Sequence, residues 1–521
     1  MKRRSLLKTA LATGAALAAP RVVRAQSATT LNFIPVADVT SLDPVYTAPD
    51  ITATHGHLIW ETLFGINEAL EPSPQMVGAY DVDDDGRRWR LKLRPGLVFH
   101  SGEPVLARDV VASLKRWSGI DILGAKLFAT TDELSALSDT QIQFRLKHPF
   151  PLLPFALGKT ATYSPMIMPA HVVEEAGRGP VKQIIGSGPF RYLPDERLAG
   201  ARLAYAKFDR YLPRDEPGSF TAGGKHVHFD RVVWTIVPEA ATASAMLRKS
   251  EADWWMGVPP DLVPSMRADP RLTVQVNTII GGEVVMRFNA LYPPFNDPAV
   301  RRAILPAIRQ SDYMTAIAGD DRAVWRDHVG VFSVDKPMST EAGVEVMAGD
   351  LEAARRALAQ SGYKGEPIVI LAPADYASLY AVAQVAADML KRIGMNVVLQ
   401  SIDYGTQTQR RMSRNRPDQG GWNIFFAWFS GTNRYDPAAH LGITSTWPGW
   451  PAIPEIEALR EAWFLAPDLA AQRAIARQIQ LLVWRDVPYI PLGSYYTQDA
   501  FDRRLTGVSR AIPLFWNVRR V

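Results

Sequence analysis

Residues 367–403 constrain the fold more than any other stretch. "PIVILAP" is a short apolar run, "ASLYAVAQVAADMLKRIG" repeats apolar residues at helical spacing and stops on Gly394, and "NVVLQSID" is a second strand. Parallel strands cannot be joined by a tight turn and need a crossover of helix length, so this order is a βαβ unit. It predicts a parallel sheet covered on both faces.

The neighbouring segments extend that reading. "DLEAARRALAQSGY" has helical periodicity and ends on Gly362, "WNIFFAWF" is a buried strand, and Asp468 caps a last long helix through Val483. The texture before about Ile280 is different. "LNFIPVADVTSLDPVYT" gives a short strand and a Pro-rich turn, and "HGHLIWETLFGIN" follows at helical spacing. After an Asp-Gly turn, Trp89, Leu91 and Leu93 alternate with Arg90 and Lys92, the pattern of a half-buried strand. Asp109 to Trp117 reads as a helix, and strand signals recur at Gln141–Phe144, Phe190–Tyr192 and Val232–Val237. With no internal repeat and no low-complexity linker, the expectation is an α/β chain of two lobes, its first half built on mixed sheets.

The leader bears on where such a chain works. Lys2, Arg3 and Arg4 precede a weakly apolar segment, Leu6 to Ala19, and Val23 with Ala25 form a small-residue cleavage pattern. This is a signal peptide cut after Ala25, and Arg3-Arg4-Ser5-Leu6-Leu7-Lys8 resembles the twin-arginine export motif, with Lys2 where Ser or Thr is more usual. The segment is shorter than the ~20 residues that span a bilayer. The whole chain carries 58 basic and 53 acidic residues; removing the six basic residues of the leader leaves 52 against 53. A near-neutral mature chain lacks the basic footprint of a nucleic-acid binder. It has no cysteine, hence no disulfide framework and no acceptor for a lipid anchor. A mature chain of 496 residues (521 less 25) can bury a large core instead. The expected location is the periplasm, without membrane insertion.

Motifs for chemistry are absent or incomplete. Asp81-Val82-Asp83-Asp84-Asp85-Gly86 opens like a calcium loop, but Lys92 occupies the position that needs a bidentate carboxylate, so a hairpin turn is the better reading. His55 with His57 and His226 with His228 find no third ligand nearby and are expected at the surface or in a pocket. Ile185-Gly186-Ser187-Gly188-Pro189-Phe190 completes neither a phosphate loop nor a nucleophile elbow, and a close backbone turn explains its glycines. No catalytic residue, metal site or cofactor is expected. Aromatic residues cluster instead: Trp422, Trp428, Phe429, Tyr435, Trp447 and Trp450 lie within thirty residues, and Tyr495 and Tyr496 follow in "PLGSYYTQDAF". Trp428 and Phe429 end a strand and enter a loop, the place where parallel sheets present ligands.

These segments in this order resemble the solute-binding proteins of peptide and nickel ABC importers, solute-binding protein family 5. The resemblance rests on "SLDPVYT…IWETLFGIN", "DVDDDGRRWRLKLRPGLVFHSGEPVLARDVVASLKRW", "GSGPFRY", "FNALYPPFNDPAVRRAI" and "DVPYIPLGSYY", and it covers essentially the whole mature chain. It implies a two-lobed, three-domain periplasmic binding protein that closes by a hinge around a small solute and docks, as a monomer, on a permease driven by an ATPase. By similarity, residues 26–55, 180–280 and 489–521 form domain I, residues 56–179 domain II and residues 281–488 domain III. The hinge falls near Ile279–Gly282 and Pro488–Gly493. Tyr46, Trp428, Phe429, Ser430, Gly431, Arg434, Tyr435, Asp436, Trp450, Tyr495 and Tyr496 are the expected ligand contacts. Peptide-binding members resemble W-x-x-D, whose Asp pairs with the peptide's amino group; here Gly431 follows Trp428-Phe429-Ser430. The expected solute is therefore peptide-like, amide-bearing or otherwise modified, with Asp436 or Arg434 as alternative charged contacts. A secreted hydrolase of peptides or glycans, and a binding protein serving chemosensing or chaperoning, are the competing readings.

Overall fold

A computed structural model of the chain describes residues 29–521 except 48, 161, 278, 279 and 439. The leader and its cleavage site lie outside the described residues. Three sheets organise the rest. A seven-stranded sheet runs in the order Leu272–Val276, Gln498–Asp502, Trp254–Trp255, Thr30–Ile34, Arg231–Thr235, Arg202–Lys207 and Phe190–Tyr192. The N-terminal strand pairs in parallel with both of its neighbours, and the remaining pairs are antiparallel. A four-stranded antiparallel sheet, Val77–Asp83, Arg88–Leu93, Gln141–Leu146 and Thr131–Ala136, is inserted between them in sequence. Alternation decides its faces: Trp89, Leu91 and Leu93 are buried, while Lys92 opposite them is exposed. Asp84, Asp85 and Gly86 all take positive φ in the turn before it, so the apparent calcium loop is a hairpin connection.

The third sheet has six strands, Trp325–Arg326, Tyr489–Tyr495, Gly282–Phe288, Ile424–Phe429, Pro367–Pro373 and Asn396–Ile402. The βαβ unit stands at one end of it: Pro367–Pro373 and Asn396–Ile402 pair in parallel, and the helix Ala377–Arg392 between them buries Leu379, Val382, Ala383, Ala386 and Leu390. Gly394 follows at φ 101°, a left-handed stop that a side chain would resist. The sheet is not parallel throughout, because Gly282–Phe288 runs antiparallel to both its neighbours.

The chain passes from the seven-stranded to the six-stranded sheet between Val276 and Gly282 and returns between Tyr495 and Gln498. The second crossing lies later than the sequence suggests. Tyr489, Ile490 and Leu492 are fully buried and the strand they occupy pairs with Gly282–Arg287, so residues 489–495 belong to the second sheet and not to the C-terminal part of domain I. The two crossings touch where the Thr497 hydroxyl donates to the Asn277 side-chain oxygen (2.7 Å); beside them, within the second sheet, the Ser494 hydroxyl donates to the Gly282 carbonyl (3.0 Å). The boundary expected at residue 55 falls inside one continuous helix, Asp50–Ile59, which His55 ties to Tyr205 of the seven-stranded sheet at 2.8 Å.

Candidate functional site

Between the lobes lies a cavity of about 700 Å³. Its second wall is the end of the strand Ile424–Phe429, where the register pairs Trp428 with Val284 and Phe429 with Glu283, together with Ser430, Tyr435 and Asp436 just beyond. Buried charge holds this wall from behind. Arg287 is fully buried and donates to the carbonyls of Pro448 (2.7 Å), Gly442 (2.6 Å) and Pro488 (3.2 Å), and its guanidinium lies 4.9 Å from the Trp447 ring. The loop carrying Trp447 is thereby fixed against the cavity, since each carbonyl of an irregular buried loop needs a donor. Burial pulls the Arg287 pKa down to about 9.

The first wall comes from helix starts and turns. Pro49 and Asp50 open the helix Asp50–Ile59, Asp121 caps the helix Ile122–Thr130 by accepting from the Gly124 amide (3.0 Å), and Phe155, Lys159 and Tyr163 complete it. Asp121 also pairs with Lys159. The Asp50 carboxyl accepts a hydrogen bond from Ser430 of the opposite wall; burial pushes its pKa up to about 6, against the pull of that bond. The Phe155 and Tyr435 rings stack between the walls, centroids 5.8 Å apart and planes 17° off parallel. Burial raises the Tyr435 hydroxyl pKa.

Of the sequence-predicted contacts, Trp428, Phe429, Ser430, Tyr435 and Asp436 line the cavity. Arg434 does not. It is fully buried, paired with Glu283, and donates to the carbonyls of Gly330 (3.2 Å) and Val331 (3.0 Å), so it cannot recruit a ligand anion. Trp450 packs on Trp422, Tyr495 is half-buried at the end of its strand, Tyr496 lies under Arg326, and Tyr46 is 44% exposed; none of the four lines the cavity. Gly431 is a packing glycine. A Cβ there would stand 2.7 Å from Ile280 Cβ and 2.6 Å from the Gly281 carbonyl oxygen, and its own carbonyl accepts from Ser333 (2.6 Å). The side chain that a carboxylate at this position requires has no room in this packing.

Sequence reasoning missed Asp50, Asp121, Phe155, Lys159, Tyr404 and Arg411. Their only signal was position: five of the six, all but Lys159, stand within or beside the ends of short helices. The histidines are also placed differently from expectation. His55 and His57 are buried inside a helix, where burial pulls their pKa values to about 3 and about 4, and His57 contacts the Thr160 carbonyl at 3.2 Å. Among the described residues no group of three His, Asp or Glu could hold a metal ion, and no helix is long and apolar enough to cross a membrane.

Two lobes built on separate sheets, joined by paired crossings and enclosing a cavity, are the architecture of a two-lobed solute-binding protein. The profile of the bacterial extracellular solute-binding proteins, family 5, matches residues 71–446, and the chain belongs to that family. The probable peptide ABC transporter periplasmic-binding protein y4tO of Sinorhizobium fredii is 35% identical over 100% of this chain and 99% of its own length. The glutathione-binding protein GsiB of Pectobacterium atrosepticum is 24% identical over 90% of this chain and 89% of its own. Among solved structures, Helicobacter pylori DppA in complex with the peptide STSA superposes with a TM-score of 0.77 at 20% identity, covering 94% of this chain and 98% of that one. MoaA of Agrobacterium tumefaciens R10 in complex with mannopinic acid gives 0.77 at 18% identity, covering 95% and 100%. The chain is the solute-binding component of an ABC importer, and the proteins it matches are binding proteins.

Proposed function

We propose that the protein captures a peptide-like solute whose amino terminus is blocked or modified, closing its two lobes over it and delivering it, as a periplasmic monomer, to its permease and ATPase. The observation that carries this reading is Gly431 packed against Ile280 and Gly281, which leaves no carboxylate at the position where peptide binders hold an amino group. The cavity volume lies within the ~300–1,000 Å³ common to small-molecule sites. Its aromatic lining offers stacking and its polar rim hydrogen bonds. Peptide and glutathione binding by relatives supports the peptide-like class, and mannopinic acid in a structural neighbour supports a modified one.

Closure follows from differential affinity: a solute that touches both walls favours the state in which both are present. The Asn277–Thr497 bond between the crossings supports reading them as the hinge. A domain I built on the seven-stranded sheet, a domain II around the four-stranded sheet and a domain III around the six-stranded sheet complete this reading.

Native mass spectrometry of residues 26–521 tests it, with pools of synthetic di- and tripeptides offered as free amines and as N-acetyl derivatives. Retention of the N-acetyl pool, or co-purification of a solute without a free α-amine, is the expected result. Exclusive retention of free-amine peptides overturns the reading of Gly431, and turnover of any retained peptide restores the hydrolase alternative.

A further inference from the structure

The charged groups of the cavity do not all balance within the protein. Lys159 is matched by Asp121, and Asp50 accepts from Ser430. Arg411, at the end of the helix Tyr404–Arg410, has no such partner. Among the described residues its guanidinium forms neither an ion pair nor a hydrogen bond. It rests instead on two aromatic faces, 5.7 Å from the Phe425 ring centroid and 6.0 Å from that of Trp447. Its Nε is sealed from solvent and unpaired. Arg410 donates to Gln400 (2.8 Å) and to the Gly421 carbonyl (2.9 Å), and Arg416 reaches Asp418; Arg414 also rests on a ring, 4.8 Å from that of Trp450, but does not line the cavity.

An arginine stays protonated at neutral pH, and a partly desolvated guanidinium without an anion is costly. Stacking on rings recovers part of that cost and holds the planar group by its face, leaving its edge for a bidentate acceptor. The wall that carries it is fixed, because Trp447 is held by the Arg287 bonds.

We propose that Arg411 is the anion-recognising residue of the cavity and that the solute carries a carboxylate which seats on it. This rests on the peptide-like reading above and sharpens it, making the solute an acid whose carboxylate is read by the second wall. The solute's other polar groups then face Asp50 across the cleft and Ser430 on the same wall.

The test uses the same synthetic di- and tripeptide pools in two forms, C-terminal acids and C-terminal primary amides, with retention read by native mass spectrometry on the mature chain. The amide differs little in size but carries no charge. Wild-type protein is expected to retain acids at least about tenfold better than amides. Arg411→Gln should remove that preference while Arg411→Lys keeps most of it. Equal retention of acids and amides by the wild type overturns the proposal, and so does an acid preference that survives in Arg411→Gln. A Gln variant that fails to fold leaves the wild-type comparison and the Lys variant to decide. The comparison runs on whichever amino-terminal form is retained, so failure of the Gly431 reading and failure of this one are separate results. If no peptide in any form is retained, the peptide-like reading falls, and this inference with it.

Discussion

On the second lobe, the cavity wall is the end of a strand inside a six-stranded sheet, with Arg287 and the Arg434–Glu283 pair fixed behind it. On the first, the wall is made of helix starts and turns, where Asp121 pairs locally with Lys159 and Asp50 reaches Ser430 across the cleft. Strand ends deep in a sheet move little, whereas short helix starts can shift without breaking a ladder of hydrogen bonds. The difference assigns shape to the second wall and adjustment to the first.

The largest effect should come from behind the rigid wall. Arg434→Leu leaves Glu283 buried without its partner and should lower stability by about 3–5 kcal/mol in urea unfolding. The acid preference of the protein that remains folded should persist, since Arg434 does not reach the cavity. A loss of binding without a loss of stability would contradict the division of labour between the walls.

Asp50 tests the adjustable wall through pH. Its folded-state pKa, about 6, lies above the ordinary value of 3.8. The folded protein therefore binds the proton more tightly, and the stability contributed is fully present below about pH 4 and lost as pH rises through 6. Asp50→Asn removes this dependence. It should leave the melting temperature unchanged near pH 4 and raise stability by about 1–3 kcal/mol at pH 8, in the absence of solute.

Contacts between the walls come next. Replacing Phe155 and Tyr435 with Ala, singly and together, should show a coupling of about 0.5–1.5 kcal/mol for the stacked pair. Small-angle scattering should show the double variant more open than the wild type. Lys126 and Glu461 form an exposed ion pair between the lobes, with Lys126 5.6 Å from the Phe464 ring centroid. Lys126→Ala should cost no more than about 1 kcal/mol, and the cost should fade at high salt.

The sequence made the second wall far more legible than the first. An apolar run of strand length ending in Trp428 and Phe429 marks a sheet and its open end at once, because period and composition act over neighbouring residues. The βαβ unit was readable for the same reason. Asp50, Asp121 and Arg411 were not, since a charged residue at a helix end has the same appearance whether it caps the helix in water or faces a cavity. Arg434, Trp450 and Tyr495 carried the right chemistry, but their surroundings depend on contacts with residues far away in the chain, such as Glu283, Trp422 and Ser378. The second crossing was misplaced for a similar reason: Pro491 and Gly493 suggest a break, yet both sit inside a paired strand.

The tight fit of Gly431 against Ile280 has a historical consequence. An acidic side chain at that position cannot arrive by one substitution without colliding with residue 280 and the neighbouring carbonyl. Amine recognition through residue 431 must first open space on the segment of Ile280 and Gly281. Two positions on different segments are thus coupled, and a change of cargo is sterically cheaper at other positions around the cleft.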